Sequence, residues 1–156
     1  MTEIFINKAK TCAVTGHRTL QKDFNVKRLK EIFIKLIGVG YDTFLIGMAI
    51  GFDSECFREL EKLRKDNQIR LIACIPCEGQ SYKFSEEQKK EYDRMVKSAD
   101  ERIVISKNYT AYCMMKRNRF MVDNSSCVVA YIKRDYGGTY STVNYAIKNN
   151  VPIIQV

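Results

Sequence analysis

Gly47-Met48-Ala49-Ile50-Gly51-Phe52-Asp53 is the stretch on which the fold of this chain turns. An apolar run at 41–46 precedes it and has the character of a buried strand. After it, Phe52, Cys56, Leu60 and Leu63 recur at helical spacing. A strand that passes through two glycines into a helix is a common way for an α/β protein to receive a phosphate. Small residues let the ligand approach the backbone, unsatisfied amides point outward, and the helix dipole favours negative charge. The same spacing also occurs where a helix simply packs close to a sheet. The weight comes from other glycine- or arginine-bearing turns that follow strand-like runs elsewhere in the chain.

Upstream, a β-type run at 11–15 ends at Gly16-His17-Arg18, and a helical pattern through Leu29, Phe33, Leu36 and Ile37 is stopped by Gly38 and Gly40. Downstream, a strand at 69–73 ends at Pro76, and a mostly polar helix runs from Ser85-Glu86-Glu87 to about 99, covering an edge or lying on the surface. A strand at 102–106, a helix at 110–123 and a strand at 127–133 follow. A turn at 135–139, a helix at 141–149 and a short strand at 152–156 complete the series. Strands alternating with helices make βαβ units, and continuous apolar strands need cover on both faces. The expected fold is α/β: a Rossmann-like three-layer α/β/α domain over residues 1–156, with a mainly parallel sheet of five to six strands.

Composition bounds the partners. Residues 1–10 lack an apolar core of the signal-peptide kind, and no run approaches the ~20 apolar residues of a membrane span, so a cytoplasmic protein without membrane contact is expected. The six cysteines sit mostly inside apolar patterns, where a free thiol acts as a small hydrophobe. Cys74-Ile75-Pro76-Cys77 reads either as a redox pair or as a strand end with an incidental second thiol, and the loop character of Glu78-Gly79-Gln80-Ser81 favours the latter. The formal charge of +8 suits anionic partners such as nucleotides or nucleic acid. The basic residues are interleaved with acids, however, and the aromatics form no stacking platform that the sequence makes visible.

In an open parallel sheet, ligands bind beyond the carboxyl ends of the strands, where strand order reverses. Thr15-Gly16-His17-Arg18, the 47–53 turn with Gly47, Ala49, Gly51 and Asp53, the segment Lys116-Arg117-Asn118-Arg119, and Gly137-Gly138-Thr139 with Thr142 nearby would collect on that edge. Gly137 and Gly138 expose consecutive amides at a helix start, with the Thr139 hydroxyl as a further donor. Arg18 and Arg117 offer forked donors to phosphate oxygens. Asp53 either accepts from a ribose hydroxyl or caps its helix. His17, the single histidine, is either a functional loop residue or a polar turn residue. No nucleophilic triad, metal cluster, G-x-G-x-x-G or P-loop is present, and neither a metal nor a cofactor is called for.

Together, T-G-H-R after the first strand, G-M-A-I-G-F-D after the second, R-N-R-F-M-V-D-N-S before the fifth and G-G-T after it resemble the SLOG superfamily. That group unites DprA/Smf DNA-processing proteins with the LOG nucleoside-monophosphate phosphoribohydrolases. The likeness is nearest to its small single-domain bacterial branch, the DUF1273 or YpsA/YoqJ-like proteins, whose I-P-x-E-x-Q stretch is echoed at 75–80. The resemblance implies a nucleotide-binding domain that self-associates as a homodimer or larger homo-oligomer. It places Gly16, Arg18, Gly47, Gly51, Asp53, Arg117, Gly137, Gly138 and Thr139 around the ligand. Arg117 and Met121 match the LOG helix motif, but Asn144 stands where the LOG acid belongs, which removes the carboxylate that N-glycosidic cleavage uses. The function expected is binding of a nucleotide or nucleotide-derived small molecule by a sensor or sequestering protein, with no catalytic residue assigned. The alternatives are a LOG-like N-glycosidic hydrolase of nucleoside monophosphates and a DprA-like binder of single-stranded nucleic acid.

Overall fold

Continuous apolar strands need cover on both faces, and the computed structural model, which describes residues 4–156, shows how they obtain it. Among the described residues, β1 (Thr11–Gly16), α1 (Val26–Gly38), β2 (Thr43–Ile46), α2 (Phe52–Arg64), β3 (Arg70–Cys77) and α3 (Glu86–Ser98) lead to β4 (Glu101–Ser106). The chain continues through α4 (Cys113–Asp123), β5 (Cys127–Tyr131), α5 (Gly138–Lys148) and β6 (Ile153–Gln155). The six strands form one parallel sheet in the order β4-β3-β2-β1-β5-β6, so the sheet is wholly parallel. Ala13 of β1 stands opposite Leu45 of β2 on one side and Val128 of β5 on the other.

The chain walks outward from β1 to β4, then returns past β1 to β5. Right-handed crossovers running in opposite directions put their helices on opposite faces. Accordingly, Leu29 and Phe33 of α1, Phe57 and Leu60 of α2 and Met95 of α3 pack on Cys12, Val14, Phe44 and Leu71. Met121 and Val122 of α4 and Val143 and Ala146 of α5 pack on Ala13, Leu45, Ile72 and Val128. Consecutive residues of β1 thus serve opposite cores, as the two-residue period of a strand requires. The polar α3 buries only Met95. It is held beside α2 by Arg58–Glu91 at 3.1 Å and Arg94–Glu61 at 3.0 Å.

Several boundaries differ from the sequence reading. β3 passes through Pro76 to Cys77, because β2 has already ended at Ile46 opposite Ala73 and no strand on that side needs the missing N–H. β5 stops at Tyr131, two residues early, where the Lys133 N–H turns to His17 Nε2 at 2.9 Å. α4 starts at Cys113 rather than 110. α5 starts at Gly138 rather than 141, since Gly137 at φ +93° caps it and Ser141 N donates to the Gly137 carbonyl at 3.0 Å. All six cysteines are free and buried. Cys74 and Cys77 both lie in β3, an odd number of residues apart, and therefore face opposite sides of the sheet, which leaves no redox pair there.

Gly51 joins the loop after β1 to the start of α2. Its φ is +81°, and a Cβ there would sit 2.2 Å from the Arg18 carbonyl oxygen, while Phe52 N donates to the His17 carbonyl at 3.1 Å. Gly51→Ala is therefore expected to cost about 2–4 kcal/mol in chemical denaturation, from left-handed strain plus displacement of the Arg18 backbone. A variant as stable as wild type would show that this contact does not constrain the fold.

Candidate functional site

Strand order reverses between β1 and β5, and there a cavity of about 1070 Å3 opens beyond the carboxyl ends of the strands. Of the residues expected from the sequence, Gly16, His17, Arg18, Gly47, Ala49, Asp53, Arg117, Asn118, Gly138 and Thr139 line it together. Gly51, Gly137 and Thr142 do not. Gly51 lies under Arg18, Gly137 forms the α5 cap, and the Thr142 hydroxyl bonds back to the Gly138 carbonyl at 2.8 Å.

The 47–53 turn is organised differently from the phosphate cradle the sequence implied. Its Ala49 amide donates to Asp53 Oδ2 at 3.1 Å, so the protein's own carboxylate occupies the anion's place. α2 has no side-chain cap, which settles that Asp53 is not one, yet Asp53 and Glu55 already supply negative charge to its first turn. Met48, at φ +64°, holds a conformation rare for a non-glycine residue and completes the reversal.

Arg117 is only 5% exposed and its donors are largely engaged inside. Nη1 donates to the Gly47 carbonyl and, at 3.2 Å, to that of Cys74; Nε donates to Asn118 Oδ1 at 2.8 Å. Nη2 has the Met114 sulfur at 3.8 Å. A Cβ on Gly47 would lie 2.8 Å from the Arg117 guanidinium carbon and 3.1 Å from Asp53 Oδ2, so only glycine leaves room for both. Burial pushes Asp53 up to about 6, against the opposing pull of Arg117, the Ala49 amide and Arg18. Burial also lowers Arg117, with Asp53 opposing. Next to them, burial pushes the Cys74 thiol up to about 12, which makes it inert at neutral pH.

α5 presents the contrasting end. Its first turn carries no acidic residue and no side-chain cap, and Gly138 and Thr139 open it to the cavity. Beside it His17 is 6% exposed; its Nε2 accepts the Lys133 amide, which fixes the neutral tautomer with hydrogen on Nδ1, and that N–H has no partner. Burial, followed by the Arg134 charge, holds this imidazole below its ordinary range, so it is neutral at pH 7.

Sequence reasoning missed Arg134, Glu78, Gln80, Tyr82, Phe84 and Tyr109, all of which line the cavity from loops after β3, β4 and β5. Only the I-P-x-E-x-Q echo pointed toward any of them. Gln80 Nε2 donates to the Gly47 carbonyl at 2.9 Å, and Tyr92 Oη donates to Gln80 Oε1 at 3.0 Å, which ties the loop after β3 to the centre of the site. Among the described residues no group of His, Cys, Asp or Glu has the arrangement of a metal site.

A doubly wound parallel sheet with these turns around its switch point is that of the SLOG superfamily. Residues 12–152 match the family model described as the YspA SLOG family, and the chain belongs to that family. Over 120 residues it is 32% identical to the SPbeta prophage-derived protein YoqJ of Bacillus subtilis (strain 168), covering 67% of this chain and 69% of that protein. Among solved structures, DNA processing protein A (DprA) of Streptococcus pneumoniae superposes with a TM-score of 0.69 at 18% identity, over 95% of this chain and 50% of that one. The Helicobacter pylori DprA, in a structure concerned with its single-stranded DNA binding mode, gives 0.67 at 17%, over 93% of this chain and 64% of that one. The chain thus spans half to two thirds of these DprA chains, and at such identities the likeness is one of fold.

The raised Asp53 pKa has a definite sign in stability. The folded value, about 6, lies above the ordinary 3.8, so the group's favourable contribution is complete below about pH 4 and is lost as pH rises through 6. Asp53→Asn keeps an acceptor for Ala49 and removes the buried charge. It is expected to be more stable than wild type above pH 6 by about 2–3 kcal/mol, at ~1.4 kcal/mol per pKa unit, with the gap closing toward pH 4. Urea denaturation from pH 4 to 8 measures this, and a gap independent of pH would mean that Asp53 is not held as described.

Proposed function

We propose that this protein binds a nucleotide or nucleotide-derived small molecule in the switch-point cavity, with a phosphate at the start of α5. The observation that carries the reading is the uncapped, acid-free start of α5, which opens to the cavity at Gly138 and Thr139 on a wall shared with Arg18 and Arg134. The free first-turn amides and the dipole of a helix favour a phosphoryl group, and the two guanidiniums add charge-assisted donors. The role is that of a sensor or sequestering protein, cytoplasmic and self-associating. Asn144, which stands where the LOG acid belongs, is exposed on α5 and off the cavity wall, whereas the carboxylates that line the cavity with Arg117 are Asp53 and Glu78.

A second reading, binding of single-stranded nucleic acid, draws on the net charge of +8 and on the exposed Tyr109 and Tyr112 of the loop after β4. The fold likeness to the Helicobacter pylori protein supports it in the same way.

Thermal unfolding against AMP, ADP, ADP-ribose, NAD, cyclic dinucleotides and a short oligonucleotide separates the two. A ligand at 100 times its Kd adds about 2.7 kcal/mol, or about 5–10 °C for a domain of this size. Gly138→Asp should abolish the small-molecule shift and leave the unliganded midpoint unchanged, because a side chain there meets nothing within 4 Å. A shift retained in that variant removes the phosphate from α5. A shift given only by the oligonucleotide and lost in salt replaces the first reading with the second.

A further inference from the structure

The sheet order separates the cavity into two walls. Loops after β1 and β5 carry His17, Arg18 and Arg134, whereas loops after β3 and β4 carry Tyr82, Phe84 and Tyr109, with Lys83 as the one basic residue of that side. β2, with the Gly47 turn, lies between them. Strands spaced about 4.8 Å apart put β3 two spacings from β1 and β4 four from β5, so the walls stand about 10–19 Å apart. That is the scale of a nucleotide, longer than a phosphate ion.

The aromatic wall is built, and two of its rings are unemployed. The loop after β3 is pinned by Gln80 to the Gly47 carbonyl, turned by Tyr82 N to Gly79 O at 2.9 Å and by Phe84 N to Ser81 O at 2.9 Å. Phe84 is fixed edge-on against Tyr92, 5.7 Å between centroids at 85°. Tyr82 and Tyr109, in contrast, are 80% and 72% exposed although both line the cavity. Neither ring has an aromatic, cation–π or side-chain hydrogen-bond partner among the described residues. Tyr136 shows the other outcome: it is equally a loop tyrosine of this edge, but Arg134 covers it at 5.0 Å and it stays off the cavity wall. Unpartnered aromatic rings lining a cavity whose other wall carries Arg18 and Arg134 suit an aromatic base whose own phosphates reach that wall.

We infer that Tyr82 and Tyr109 form a base-stacking wall, and that the occupant of the cavity is a nucleoside phosphate held at both ends, base on the β3–β4 side and phosphate on the β1–β5 side. This rests on the phosphate placement proposed above. The wall selects for the presence of a base more than for its identity, since every base has a π-face.

Calorimetric titration of the full chain with ADP, ribose 5-phosphate and inorganic pyrophosphate tests it. ADP should bind wild type at least about tenfold more tightly than either probe without a base, and Tyr82→Ala with Tyr109→Ala should lose about tenfold or more for ADP, at 1–3 kcal/mol per stacked base, with pyrophosphate affinity unchanged. Tyr82→Phe with Tyr109→Phe should restore ADP binding, because the ring and not the hydroxyl acts. The two positions are solvent-facing, so unfolding midpoints should not move. The chain has no tryptophan, so ADP should also quench tyrosine emission in wild type and less in the alanine variant. Pyrophosphate binding as tightly as ADP would overturn the stacking wall and leave the phosphate site standing. ADP binding that survives both alanines would overturn it as well. Failure of every nucleoside diphosphate and of pyrophosphate to bind would overturn both readings.

Discussion

The carbonyl oxygen of Gly47 is the point on which the candidate site depends. It follows β2, accepts Arg117 Nη1 from α4 and Gln80 Nε2 from the loop after β3, and so ties that helix and that loop to the strand end. A buried guanidinium is costly unless its donors are satisfied, and here backbone carbonyls and Asn118 satisfy most of them. Asp53 offsets the charge from the other side of Gly47, and the missing Cβ is what lets the two approach. Arg117 is thereby a strut of the cavity wall more than an open hand for a ligand.

That arrangement divides the work between two helix starts at the same edge. α2 begins with Gly51 and carries Asp53, whose carboxylate takes the Ala49 amide, so its N-terminus is electrostatically complete. α5 begins with two glycines and carries no acid in its first turn. With equal backbone dipoles, the side chains set the two termini apart: α2 carries acids in its first turn and α5 carries none. His17 and Arg134 gather at that end through the Lys133 hydrogen bond and the short loop after β5.

Membership of the YspA SLOG family and the likeness to two DprA structures agree with a fold in which loops, not sheet residues, differentiate the site. The sheet supplies a switch point between β1 and β5. The loops after β3 and β4 supply Tyr82 and Tyr109, which lie outside the motifs that carry the resemblance, and Gln80, which belongs to the I-P-x-E-x-Q stretch.

The alternation of apolar strands with helices, the glycine turns and the placement of Gly16, His17, Arg18, Gly47, Arg117 and Gly138 at one edge were legible in the sequence, because each depends on local periodicity or on backbone conformations that few residues adopt. Pro76 and Ser141 misled the boundaries, since whether a strand or helix continues there depends on the neighbour it pairs with. Only the folded chain decided that Asp53 is turned to Ala49, that Arg117 is engaged by Gly47 and Cys74, and that Cys74 and Cys77 face apart. It also brought Tyr82 and Tyr109 to the mouth of the cavity, from loops separated in sequence by a helix and a strand. Those outcomes are set by long-range contacts, in which the partner of a residue lies tens of positions away and leaves no periodic trace in the chain.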